Sequence, residues 1–423
     1  MRRLARCGLF LLQALIIYNL SSCTSVRTVD RAGPRGKEPV IRVLIDSGTQ
    51  RIRLSATGAF DLRTNDGRRL LDSSGPAEVI ISSQASGLAL QVDPSGRTAD
   101  GGDEVRIVPR GDATFIYQGI AYAGSFTVAR ESGNKMAIVN TLPLETYLEG
   151  VLPNEIGVRG PDEFAALEAQ AIAARTYALS RIHERSRGPF DVHASVMDQV
   201  YRGRKGANRL AAAAVKDTRG MVLTFGGKLA SAYYCSCCGG HTSDIALMWP
   251  ARADAPYLKG VRDAESAGGS SFCSKGRRFR WRYSWSGSEL GSLLRETLPS
   301  VLGIERDAVG YLEDIAVTGR SRSGRVTALE ITTSRGSFTV RGDRIRWALL
   351  IDRDKKRILP STMFELTTIK EGGRVALISA AGGGNGHGVG MCQIGALEMA
   401  RQGYTYEMIL SHYYSGCSVE RQY

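Results

Sequence analysis

Two kinds of residue in this 423-residue chain could do chemistry: an acid set among apolar neighbours and a crowd of thiols. The acid is Glu155. It follows Leu144, Tyr147, Leu148, Val151 and Leu152, which fall at i, i+3, i+4, i+7 and i+8 and so share one face of a helix. Pro143 suits the first helical turn, and Pro153 is expected to stop the helix. Glu155 then lies in a break beside Val151, Leu152 and Ile156. A carboxyl held among apolar groups off a helix end can have a raised pKa and serve as a general acid. Spacing alone also allows a solvated loop residue. The thiols are Cys235, Cys237 and Cys238, in a seven-residue stretch ending at His241, with Cys273 further on. Cys235 and Cys238 have the spacing of a metal knuckle, and His241 follows at the same interval. Cys273 can complete a tetrahedral Cys3His zinc site. Four protein ligands would close such a site and make it structural rather than catalytic. In an exported protein a disulfide such as Cys238–Cys273 is the competing reading.

These groups need elements to hold them. Gly160 and Pro161 open a second helix, with Asp162 and Glu163 in the first turn, where the helix dipole favours acids. The Ala-rich run to Ala178 permits close packing. Asn208 to Thr218 reads as a third helix, ended by Gly220, and MVLTF, Gly226–Gly227 and KLASAYY as a β-hairpin. Upstream, VIRVLID, QRIRLSA, AEVIIS, LALQVD, EVRIVP and SFTVAR are short alternating runs broken by turn residues. Downstream, TGRSRSGRVTALEI and GSFTVRG read as hairpin strands. Trp281, Trp285 and Trp347 read as core packing ahead of sugar stacking. Near the C-terminus the Gly-rich run GGGNGHGVG precedes a helix at about Cys392 to Arg401, and a second runs from about Tyr406 to Tyr413. The run lacks the Gly-Lys-Ser/Thr end and βαβ context of a nucleotide cradle. Its glycines are expected to let the backbone approach Glu155 or a ligand. Together this is an α+β chain.

The divisions expected are a signal segment at 1–22, a linker at 23–39, a β-rich domain at 40–140 and a catalytic core at 141–260. An inserted segment at 261–380 follows, and 381–423 returns to complete the core. Arg2, Arg3 and Arg6 precede an apolar run from Gly8 to Tyr18, too short for a comfortable membrane span. Leu20-Ser21-Ser22-Cys23 is similar to a bacterial lipobox, so Cys23 is the expected acylated N-terminus of an exported, membrane-anchored lipoprotein facing the periplasm or cell wall. An uncleaved anchor or a plain secretory signal would export the chain as well. The formal charge is +13; removing residues 1–22 takes away three Arg and no acid and leaves +10. That charge suits anionic lipid or an acidic polymer. Export, and the lack of an aromatic-interleaved basic motif, argue against nucleic acid.

PLETYLEGVLPNE followed by ALEAQAIAARTYAL resembles the signature of the SpoIID/LytB family, the stage II sporulation protein D-like lytic transglycosylases. The resemblance covers most of residues 40–417 and is most specific at 142–178 and 382–414. It implies that Glu155 is the catalytic acid. It also implies that Gln170, Arg175 and Tyr177 of the second helix, and Asp198, Gln199 and Tyr201 of the Asp-Gln-x-Tyr segment, bind glycan. His387 and Gln393 of the Gly-rich stretch are expected to point into the same cleft, with His387 orienting a sugar hydroxyl or stabilising a turn. The segment SAYYCSCCGGHTSD is similar to a family pattern that in some members binds zinc, with Cys235 where His is common. Implied partners are peptide-stripped peptidoglycan strands, a cell-wall amidase that strips them, and a membrane through the lipid. A glycan-binding or amidase-modifying protein without catalysis is the second reading. A zinc amidase or peptidase ranks last, because no HExxH helix occurs.

Overall fold

Alternation builds the N-terminal half. In Arg51–Ala56 the side chains of Ile52, Leu54 and Ala56 are buried while Arg51 and Arg53 face water. The computed structural model describes residues 36–157, 159–252 and 254–423, with the backbone of 28–29. The signal segment 1–22, the acylation site Cys23 and most of the linker lie outside these residues. One six-stranded sheet has the order Ile120–Tyr122, Phe115–Tyr117, Arg51–Ala56, Ala77–Gln84, Gly87–Asp93, Arg97–Asp100. A seven-stranded sheet has the order Val192–His193, Val40–Thr49, Lys135–Pro143, Ser125–Glu131, Glu104–Pro109, Phe60–Thr64, Arg69–Ser73. The sheets share a core. Phe115 of the first meets Phe60 and Phe126 of the second edge-on, with centroids 6.0 and 5.6 Å apart. The strand Lys135–Pro143 was not apparent from alternation because Ile138, Val139 and Asn140 are buried in succession, covered on both faces. It runs straight into the first helix and aims it.

That helix, α1, spans Leu144–Glu155. Pro153 lies inside it and does not stop it. Proline there removes one backbone hydrogen bond, but the buried neighbours Val151 and Leu152 hold the turn in place. Glu155 is therefore the last helical residue, not a residue of a break. A short 3₁₀ turn at Pro161–Glu163 leads into α2, Phe164–Glu184. Its alanines at 166, 169, 171, 173, 174 and 178 are all buried, so α2 is surrounded by neighbours at close range. The helix α3, Arg209–Asp217, is capped by Asn208, whose side chain accepts from the Leu210 and Ala211 amides. The expected hairpin is shorter than its sequence suggested. Of KLASAYY only Lys228–Leu229 pairs with Met221–Phe225, whose other edge pairs with Ser418–Arg421, and Tyr234–Cys235 pairs in parallel with Met391–Cys392 instead. Ile245–Met248 forms α4.

A second lobe follows with its own apolar core, including Trp285, Leu290, Leu294, Leu329, Ile345 and Ile378. It holds α5, Gly287–Leu302, and two three-stranded antiparallel sheets. One sheet is Trp281–Ser286, Arg374–Gly382 and Phe364–Glu371; the other is Leu312–Arg320, Val326–Thr333 and Gly336–Arg341. The short α6, Arg344–Ala348, ends at the face toward the first lobe. The chain then returns through Met391–Cys392 into α7, Gln393–Arg401, and α8, Tyr406–Tyr413. The fold is α+β. Among the described residues no helix is long and apolar enough to cross a membrane.

Candidate active site

The end of α1 meets α2, α7 and the segment after Val192 at Glu155. The Glu155 carboxylate accepts the Val200 amide at 2.6 Å and a hydrogen bond from the Gln393 side chain. Gln393 also donates to Gln170 at 3.3 Å, so two buried amides from α7 and α2 brace the acid. Burial raises the Glu155 pKa above 4.5, and the two hydrogen bonds only partly oppose it. The carboxyl opens into a cleft of about 590 Å³. Asn154, Asp198, Val200, Tyr234, His387 and Gln393 line it from the first lobe, and Arg346, Trp347, Lys356 and Arg357 from the second.

The other residues expected to bind glycan divide into three groups. Gln393, Asp198 and His387 reach the cleft. Asp198 is heavily engaged: it accepts from the Tyr177 hydroxyl at 2.8 Å, from Arg185 at 2.9 Å and from the His193 amide at 2.9 Å. His387 accepts the Val389 amide at 3.1 Å and packs on Trp249 at 4.9 Å. Burial lowers its pKa to about 4, so its ring is neutral at pH 7. Gln170, Tyr177 and Gln199 act from behind. Gln199 accepts from Tyr147 at 3.1 Å and donates to Tyr234 at 3.0 Å, which orients Tyr234 along the cleft. Arg175 and Tyr201 do not reach the cleft. Arg175 is fully buried in a bidentate pair with Glu145, both contacts 2.8 Å. Tyr201 is buried against Tyr147 and donates to Asn140 at 2.9 Å. Both positions are set by core packing. Glycan contact at either would need the core to open.

The Gly-rich loop packs closely on its neighbours. A Cβ at Gly388 would strike the Arg325 guanidinium, and one at Gly390 the Tyr233 carbonyl. Both residues have positive φ, 80° and 71°. These two glycines approach Arg325 and Tyr233, while Gly386 lines the Glu155 cleft.

The structure gathers a thiol cluster different from the one spacing suggested. Cys238, Cys273, Cys392 and Asp263 are buried, with ligand atoms all within 4.8 Å of one another. The Cys237 thiol also bonds to Cys273 and Cys392. Cys235 and His241 stand outside this group. Cys235 is turned away beside Gly386, and the His241 Nδ1 lies 2.7 Å from the Thr242 carbonyl oxygen. The cysteines are free, with Cys238 and Cys273 sulfurs 3.7 Å apart. That is close to the edge of a tetrahedron of sulfurs about 2.3 Å from a central zinc. Nearby Arg325 is fully buried; it donates to the Cys238 carbonyl at 2.6 Å while its Nε and Nη1 find no partner. A zinc–thiolate centre would supply negative charge beside that cation, so the residues present fit a zinc. Cys392 is far from Cys238 in sequence, and only the return of the chain through Met391 brings it in, whereas Asp263 comes with Cys273, whose amide it accepts at 2.9 Å.

Residues 132–225 match the family model described as stage II sporulation protein (SpoIID), and 267–390 match a domain of unknown function (DUF8618). An uncharacterized protein of Brachyspira hyodysenteriae is 33% identical over 306 residues, 72% of this chain and 74% of that one. Stage II sporulation protein D of Bacillus amyloliquefaciens is 27% identical over 296 residues, 66% of this chain and 75% of that protein. The amidase enhancer of Bacillus subtilis is 26% identical over 297 residues, 64% of this chain and 40% of the enhancer.

Proposed function

The chain belongs to the stage II sporulation protein D family and has a cell-wall-related role, and on that premise we propose that it is a peptidoglycan lytic transglycosylase. Glu155 gives its proton to the glycosidic oxygen between N-acetylmuramic acid and N-acetylglucosamine as the C–O bond breaks. The resulting carboxylate takes the proton of the muramic acid 6-hydroxyl, whose oxygen closes on the anomeric carbon. The product is a 1,6-anhydro end. The observation that carries this reading is one buried carboxyl at the cleft with, among the described residues, no ion-pair partner in reach of its hydrogen bonds. Glu155 is raised by burial and open to the cleft, while its neighbour Asp198 is held by three donors. An ordinary glycosidase needs two working carboxyls. A single one suffices when the attacking hydroxyl is already on the sugar.

The deciding comparison is wild type against Glu155→Gln on intact sacculi and on strands stripped by an amidase. New anhydro-muramyl ends from stripped strands, lost in the variant, are expected. The relative named amidase enhancer favours a second reading, a protein that binds glycan or an amidase without cutting. Equal binding by both proteins with no new ends would decide for it and end the enzyme reading. An exported lipoprotein acylated at Cys23, working with an amidase, completes the proposal. Zinc would be held by Cys238, Cys273 and Cys392 with Cys237 or Asp263 as fourth ligand. It would be a structural ion within the first lobe's core, tying the Cys273 segment and the returning Cys392 to Cys238. Metal analysis of purified protein should find about one zinc per chain; metal-free protein with paired cysteines would remove it.

A further inference from the structure

Residues 267–390 match a domain with no assigned role, yet they build the far wall of the Glu155 cleft. The short helix α6 and the turn after it carry Arg346, Trp347, Lys356 and Arg357 to that wall. Trp347 and Lys356 also line a second hollow of about 650 Å³, so the two hollows adjoin along one ridge. Val196 lines the first hollow and Met197 the second, both from the loop that leads into Asp198. These apolar side chains are left in water: Val196 is 80% exposed, Met197 62% and Trp347 41%. Core packing does not explain large apolar groups on two banks of one groove. Lys356 adds a second oddity. It adopts φ 47°, a conformation glycine takes with less strain, and its side chain lies on the ridge.

The charge is asymmetric as well. The first-lobe bank offers Glu155 and Asp198 to the cleft, and the second-lobe bank offers Arg346, Lys356 and Arg357, the last 3.8 Å from the Asp352 carboxylate. A polymer that suits both banks must show apolar faces to Trp347 and Met197 and anions to Lys356 and Arg357. We propose that this ridge is a glycan subsite beyond Glu155. Trp347, with Met197 opposite, clamps a sugar ring, and Lys356 and Arg357 bind the free lactyl carboxylate of an N-acetylmuramic acid unit. The ligand named here rests on the transglycosylase reading. The second lobe is then the part of the protein that distinguishes stripped strands from peptide-bearing ones, because a peptide bond removes that carboxylate.

The test uses the full chain carrying Glu155→Gln, so that no ligand is consumed. The probes are amidase-stripped glycan oligomers and the same oligomers with their carboxyls chemically amidated. The parent is expected to bind the free-carboxylate oligomer roughly tenfold more tightly, as charge-assisted contacts allow. Lys356→Gln with Arg357→Gln should erase that preference. Trp347→Ala should weaken both probes by about tenfold, with Trp347→Phe restoring most of it. These side chains are exposed, so melting temperatures serve as a folding control. A double variant that keeps the preference, or Trp347→Ala binding like the parent, overturns the ridge. Cleavage by chains with native Glu155 separates the two ideas. No anhydro ends, with the carboxylate preference intact, would sink the transglycosylase and leave the ridge. Anhydro ends formed with the same substrate preference in wild type and double variant would sink the ridge and leave the transglycosylase.

Discussion

The two lobes are built on different terms. The first buries paired polar groups, Gln170 with Gln393 and Gln199 with Tyr147 and Tyr234 behind the cleft, and Arg175 with Glu145 at the far end of α1. The second packs on an apolar cluster including Trp285, Leu290, Leu294, Leu329 and Ile378. Of its buried polar residues, Arg325, the Asp343 amide and Thr362 bond across the seam to Cys238 or Met248 of the first lobe, while Thr333 and Ser361 bond to the nearby carbonyls of Gly336 and Gly383. Buried networks fix side chains in one arrangement at the risk of large penalties when a partner is lost. Apolar cores tolerate repacking. The difference teaches where placement matters: the first lobe must hold one carboxyl, and the second must present a surface.

The comparison breaks most sharply at Glu155. Glu155→Gln should lower the rate of anhydro-end formation by about 10²–10⁴-fold, the range of a lost general acid, with no loss of melting temperature. Next is the buried ion pair. Arg175→Met leaves the buried Glu145 without its counter-ion, held by the Tyr423 hydroxyl and the Gly220 amide, at a cost of about 3–5 kcal/mol in denaturant unfolding. Replacing both, Arg175→Met with Glu145→Leu, should recover most of that, because the pair itself contributes little net stability. A smaller effect is expected from Leu294→Ala in the second lobe, about 2–5 kcal/mol by cavity formation, with no rescue by a partner. If Leu294→Ala also erased cleavage by protein that remains folded, the division of labour between lobes would be wrong.

Much of this was legible beforehand, and the misses have physical causes. Helices α3 and α8 lie within a residue or two of the ranges the sequence suggests. Arg175 was read as a glycan contact, but it lies five residues after Gln170, on another side of the same helix. Tyr177, seven residues on, returns to the Gln170 face. Helical spacing therefore held the signal that separates them. Tyr201 gave no such signal: an aromatic beside two polar residues looks alike in a core and at a sugar. The fourth thiol, Cys392, and the cations of the ridge were invisible for another reason. They reach Glu155 and Cys238 only through chain closure, and no local pattern encodes that.

The smallest expected effect is in pH, and it pits two residues of one cleft against each other. Burial raises the Glu155 pKa, so over the window between 4.5 and its raised value the folded state holds a proton that the unfolded state has released. Stability contributed there falls as pH rises and levels off above the folded pKa. Burial lowers the His387 pKa to about 4 from an ordinary 6.5, so between pH 4 and 6.5 the unfolded state holds the extra proton and stability rises with pH. The slopes oppose each other and partly cancel in the wild type. Glu155→Gln should uncover the rising His387 slope, and His387→Gln the falling Glu155 slope, when melting temperature is followed from pH 4 to 8. Cleavage should follow the acid: activity should fall as pH rises through the raised Glu155 pKa, and His387→Gln should leave that limb in place. A limb that moved with His387 instead would make the histidine the proton donor and return Glu155 to the frame that supports it.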